Sequence, residues 1–186
     1  MRRRIDEDTD SHPRPRRPPP VATPAYLRGI AETYVGRYWG PSASVRRVLM
    51  RHLQRSVQAH GTDLNDGLTA IASILADFAA AGMVDDARFA DLAAHTLHGR
   101  GKSRAVIGMQ LRARGLGQAD VTGALASLQA DELSDRDAAR NLAKRRRLGP
   151  FRVVDRLDHR QKDLQAMMRA GFAYGLAKDV IDGVVD

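Results

Sequence analysis

Leu111-Arg112-Ala113-Arg114-Gly115 decides the fold, because its pattern returns as Val57-Gln58-Ala59-His60-Gly61 and as Met167-Met168-Arg169-Ala170-Gly171. In each stretch an apolar residue stands one helical turn before a glycine, the residue that most readily closes a helix in the left-handed conformation. The glycines lie 54 and 56 positions apart, and the same order of three amphipathic stripes surrounds each one. A supersecondary unit recurring at such an interval marks a tandem array.

Outward from these glycines, the first unit places Leu27, Ile30, Tyr34 and Tyr38, then Val45, Leu49, Leu53 and Val57, at helical spacing. Its third stripe, Leu68, Ile71, Ile74, Leu75 and Phe78, is expected to start at the cap-like Asn65 and Asp66 and to stop at Gly82. The second unit opens at Asp85 and Asp86 with Phe89, Leu92, Ala93, Thr96 and Leu97. It turns at Gly99 and Gly101, is capped again by Ser103 before Val106, Ile107, Gln110 and Leu111, and ends on Val121, Leu125 and Leu128. The third opens at Ser134 and Asp135, breaks at Gly149 and Pro150, resumes with Val154, Leu157, Leu164, Met167 and Met168, and closes on Leu176, Val180 and Val184. The reading is an all-α, elongated array of three tandem three-helix, helix-turn-helix-like repeats at 25–82, 83–131 and 132–186. The connection from Gly61 to Gly67 is longer than its counterparts. Ahead of the array, residues 1–24 form an arm expected to be disordered, since prolines between Pro13 and Pro20 remove donors and forbid a helix.

Composition agrees with helices. With 186 residues and 43% hydrophobic content the chain can bury a core, while aromatics make up only 5% and β-branched residues never alternate. Lys and Arg outnumber Asp and Glu by 30 to 22, for a net charge of +8, and most of the excess is arginine, whose planar fork suits phosphate or carboxylate. The absence of cysteine excludes disulfides, thiolate metal sites and cysteine nucleophiles. The first residues lack the apolar stretch of a signal peptide, and the most apolar window, Ala70 to Val84, is too short to span a bilayer and contains Asp77. A cytoplasmic location and no membrane partner are expected.

Catalytic patterns are missing. His95 and His98 share a helix but have no third ligand nearby and read as a surface pair, and no metalloprotease motif, nucleophile elbow or phosphate-cradling loop occurs. Asp85 and Asp86 read as capping residues. No enzyme activity, metal or cofactor is expected. What remains is arginine: Arg46, Arg47, Arg51 and Arg55 in unit one; Arg100, Lys102, Arg104, Arg112 and Arg114 in unit two; Lys144, Arg145, Arg146 and Arg147 in unit three. Taken singly each cluster reads as a solvated face, but recurrence in equivalent units points to a binding surface. Tyr38 and Trp39 are expected to pack in the core. That leaves backbone contact or docking on an acidic protein rather than base reading.

Unit two carries a more specific pattern: Gly82-Met83-Val84-Asp85-Asp86-Ala87-Arg88-Phe89-Ala90, then Gly101-Lys102-Ser103-Arg104, then Leu111-Arg112-Ala113-Arg114-Gly115-Leu116. This combination resembles the RecX family, bacterial regulators of the RecA recombinase. Met168-Arg169-Ala170-Gly171-Phe172 and the stretch from Tyr34 to Gly61 extend the likeness, more loosely, to units three and one. The resemblance implies a curved array, not an enzyme, that acts as a monomer. It would bind RecA and its filaments on single-stranded DNA and limit recombinase activity in DNA repair, recombination and the SOS response. Arg104, Arg112 and Arg114, the basic residues within the matching stretches, are the contact candidates, and the resemblance leaves open whether control is by capping, groove binding or capture of free recombinase. The alternative is a basic helical protein that binds DNA independently of RecA.

Overall fold

The computed structural model describes residues 18–184, which hold nine α-helices, one 3-10 turn and no strand. The helices are α1 (Pro24–Arg37), α2 (Ser42–His60), α3 (Leu64–Ala80), α4 (Asp86–Gly99), α5 (Arg104–Ala113), α6 (Gln118–Ala130), α7 (Asp135–Arg146), α8 (Arg156–Arg169) and α9 (Tyr174–Asp182). They gather in chain order into three trios, each around its own core. Leu27, Val45, Leu49, Leu53, Ile71 and Phe78 form the first, Ala94, Ile107, Leu111, Val121 and Leu128 the second, and Ala139, Leu142, Leu164, Met167, Phe172 and Ile181 the third. Small separate cores are what a repeat architecture offers: no unit buries enough on its own, and neighbours must cover its ends.

Local signals set the helix starts. Thr23 accepts from the Tyr26 amide ahead of Pro24, Asp85 from Arg88, and Ser103 from Val106, while Ser134 and Asp137 form a reciprocal capping box at α7. α3 departs from expectation. Its cap is Asp63, accepting from the Asp66 amide, and Asn65 and Asp66 lie inside the first turn.

Two junctions join the trios, and they share a plan. The first helix of each later unit begins with an aspartate that reaches back to the second helix of the unit before. Asp86 accepts from the Ser42 amide at 2.7 Å and the Ser42 hydroxyl at 2.5 Å, and Asp135 accepts from the Arg104 amide at 2.8 Å. Ser42 and Arg104 are the first residues of α2 and α5, so each aspartate satisfies an amide that has no partner inside its own helix. α2 has particular need of this, because Pro41 at its cap position offers no side-chain acceptor.

The repeat glycines explain themselves at the same places. Gly115 and Gly171 have φ of +88° and +90°; a Cβ on Gly115 would lie 2.5 Å from that of Ala43, and one on Gly171 2.5 Å from the Ser103 hydroxyl. Each closes its own helix and lets the preceding unit approach. Gly61 also has positive φ, but a Cβ there would meet nothing within 4 Å among the described residues.

Several expected core positions are exposed. Leu92 is 46% exposed, and α4 instead buries Ala90, Ala94, Leu97 and His98, one position away from the expected stripe, with Phe89 and Ala93 packed beside them. Val154, Leu157, Met168 and Val184 are exposed too. Val154 lies in the loop before α8 and Leu157 in that helix's first turn, outside the core that Leu164 and Met167 join. The N-terminal arm lies mostly outside the described residues. Its described end is anchored rather than solvated: Ala22 is buried and donates to the Ser56 hydroxyl at 2.8 Å, and the Pro19 carbonyl meets His60 Nε2 at 2.6 Å.

Candidate nucleic-acid interface

The basic residues do not share one surface. Arg46, Arg47, Arg51 and Arg55 are all exposed along α2, opposite its buried Val45, Leu49 and Leu53. Their field is felt locally. Burial lowers the pKa of the His52 imidazole, and the neighbouring charges of Arg55 and Arg51 add to the effect; its Nδ1 meets the Tyr26 hydroxyl at 3.0 Å.

In unit two the cluster divides. Arg112 is exposed and donates to Gln118 Oε1 at 3.1 Å, Lys102 is half-buried, and Arg114 is exposed over the Phe89 ring of its own unit. Arg104 turns inward: besides its backbone bond to Asp135, its guanidinium donates to the Leu133 carbonyl at 2.9 Å, and its Nε is buried without a partner among the described residues. It therefore belongs to the junction between units two and three. The same junction takes Arg145, which donates to the Arg100 carbonyl at 2.7 Å. Lys144, Arg146 and Arg147 stay exposed at the end of α7.

His98 is likewise drawn in. It is 2% exposed and bonded through Nε2 to the Ser134 carbonyl at 2.8 Å, which corrects its assignment to a surface pair. His95 remains partly exposed, against Asp131 at 2.8 Å, and these hydrogen bonds, led by that of the Asp91 carbonyl, raise its pKa. No group of three metal-ligating side chains forms among the described residues.

At the junction between units one and two the structure assembles a cleft that the sequence did not reveal. It is lined by Tyr34, Trp39, Arg47, Phe89 and Arg114, with a volume of about 350 Å³. Trp39 and Phe89 lie 5.0 Å apart at 49°, Tyr34 and Tyr38 5.2 Å apart, and the Arg114 guanidinium sits 5.9 Å above the Phe89 ring. Trp39 is 60% exposed and Tyr38 54%, against the expectation that both would be buried. Their position gave a signal: they fall after α1 and before Gly40-Pro41, on a loop with no helix face to hide them.

Three-helix trios clasped in tandem, each displaying exposed arginine or lysine, define a tandem helical-repeat protein. A family model described as "RecX, second three-helix domain" matches residues 85–125. A protein of Myxococcus xanthus (strain DK1622) named "Regulatory protein RecX" is 38% identical over 170 residues, covering 90% of each chain. Another of that name from Amycolatopsis mediterranei (strain U-32) is 32% identical over 139 residues, 74% of this chain and 75% of its own. The chain belongs to the RecX family of regulatory proteins. Solved structures agree in fold. A crystal structure of regulatory protein RecX superposes with a TM-score of 0.61 at 19% identity, covering 86% of this chain and 71% of its own. RecX from Lactobacillus salivarius gives 0.60 at 18%, covering 87% and 96%.

Proposed function

We propose that this protein binds the RecA recombinase and its filaments on single-stranded DNA and restrains their activity in repair and recombination. The 38% identity to a regulatory protein RecX over 90% of the chain carries the reading. Exposed arginine on α2 and at the end of α7 suits it physically, because separated basic faces on a repeat array can meet successive protomers of a filament through several weak contacts. We take the three units, 25–82, 83–131 and 132–186, as the contact modules of a monomer that works without a cofactor.

The test is RecA ATP hydrolysis and strand exchange on single-stranded DNA with the protein titrated in. Both rates should fall with added protein, and no effect at saturation removes the reading. A second reading, direct nucleic-acid binding without RecA, is favoured by the aromatic and arginine cleft at the first junction. Binding to DNA alone, falling steeply with salt and leaving recombinase rates untouched, would select it.

A further inference from the structure

We infer that the cleft between units one and two is a stacking site for an unpaired nucleobase, with Trp39 as the platform and Arg47 and Arg114 as the phosphate contacts. The inference rests on the reading of this surface as one that meets nucleic acid, and it does not require the recombinase.

The sequence holds one Trp, four Tyr and four Phe, and four of these nine rings, Tyr34, Tyr38, Trp39 and Phe89, gather at this one junction. A chain so poor in aromatics would be expected to spend them on its cores, as it does Phe78 and Phe172, each at most 4% exposed. Trp39 is instead 60% exposed beside a cleft whose volume of about 350 Å³ falls within the range of small-ligand sites. The 49° tilt between Trp39 and Phe89 keeps the two rings from stacking flat on each other.

Charge selects the ligand. Among the described residues no carboxylate lines the cleft, Arg47 has no acidic partner, and the Arg114 guanidinium has no ion-pair partner but lies over the Phe89 ring. The nearby Asp86 is occupied by both donors of Ser42. A π-surface in a cleft that two guanidinium groups also line fits a base and its flanking phosphates, and every base offers such a face whatever its sequence. A duplex hides its bases in the stack, so the site should take single strands in preference.

Trp39 is the only tryptophan, which makes its fluorescence a direct report. Titrating the full-length protein with oligo(dT) should quench its emission saturably, while an abasic oligomer of the same length should bind more weakly and leave emission unchanged. Trp39→Ala should weaken oligo(dT) binding, followed by anisotropy of a labelled strand, by about 5- to 150-fold, the range of losing one stacked base, with Trp39→Phe in between. Arg47→Ala with Arg114→Ala should lower the salt dependence of binding by one to two phosphate contacts. Oligo(dT) binding without quenching, or equal binding of the abasic strand, overturns stacking but leaves phosphate contact intact. Quenching by an acidic protein surface, with none by oligo(dT), gives the cleft to a protein partner and overturns the inference. Absence of any binding to nucleic acid overturns both this inference and the direct-binding reading, and the recombinase assay then decides the regulatory one separately.

Discussion

The two junctions of the array share one clasp and differ in what fills the space beside it. At both, an aspartate from the later unit caps the second helix of the earlier one, and at both a positive-φ glycine admits the earlier unit. At the second junction the loop after α4 is pressed down: a Cβ on Gly101 would lie 2.6 Å from that of Leu142, and His98, Arg104 and Arg145 bond across to Ser134, Leu133 and Arg100. At the first junction the corresponding loop carries Trp39, which packs against Phe89 beside a lined cleft. The second joint is thus closed by contacts that cross it, and the first leaves space beside its loop. The closed joint draws Arg104 and Arg145 into its structure, whereas at the open one Arg47 is exposed and without an acidic partner among the described residues.

Substitutions at the joints should rank in that order. The largest effect is expected for Gly101→Val, where a side chain would enter the Leu142 backbone from a left-handed conformation; a loss of about 3–4 kcal/mol in urea unfolding is expected. Trp39→Ala should cost less than about 1 kcal/mol, since the indole is mostly exposed. Equal losses for the two would erase the distinction between sealed and open joints.

Next come the repeat glycines. Gly115→Ala and Gly171→Ala should each cost about 2–3 kcal/mol, combining left-handed strain with overlap on the preceding unit, whereas Gly61→Ala should cost only the strain, about 1 kcal/mol. Thermal or urea midpoints of the three variants check this.

The clasps themselves are smaller. Asp86→Ala loses two hydrogen bonds and the only side-chain cap of α2, an expected 1–2 kcal/mol or so, and Asp135→Ala loses one, roughly 0.5–1 kcal/mol. Amide exchange at Ser42 and Arg104 should accelerate in the respective variant.

The smallest effect is that of acid on the second joint. Asp137, hydrogen-bonded to Ser134 in the capping box of α7, has its carboxyl pKa held below the usual value. Its contribution is therefore present above the ordinary carboxylate pKa, about 3.9, and is lost as pH falls through the depressed one. Protection factors in the first turn of α7, taken relative to the intrinsic exchange rate at each pH, should fall below about pH 4, and Asp137→Asn should flatten that response.

Particular residues show how much was legible beforehand. Gly61, Gly115 and Gly171, the stripes of α2, α3 and α5, and the capping roles of Asp85 and Ser103 follow from the sequence, because each depends on neighbours within a turn or two. His98, Arg104 and Trp39 were misplaced for one shared reason. Each lies at an end of a helix or on the loop beyond it, where the surroundings come from the next unit, tens of residues away. A polar His98 or a charged Arg104 reads as solvent-facing until Ser134 and Leu133 arrive to accept from it, and a bulky Trp39 reads as core until the loop carries it past the core's edge.

By itself the sequence determined the helices, their number and order, the repeat and the basic character, since periodicity and capping act over short range and leave their mark in spacing. Tertiary structure alone decided which arginines are used up inside a joint, which stand free, and that Arg47 and Arg114, far apart in the chain, meet over the same aromatic cleft. The physical reason is that a joint satisfies hydrogen bonds and excludes volume between units, and neither quantity exists until one unit is laid against the next.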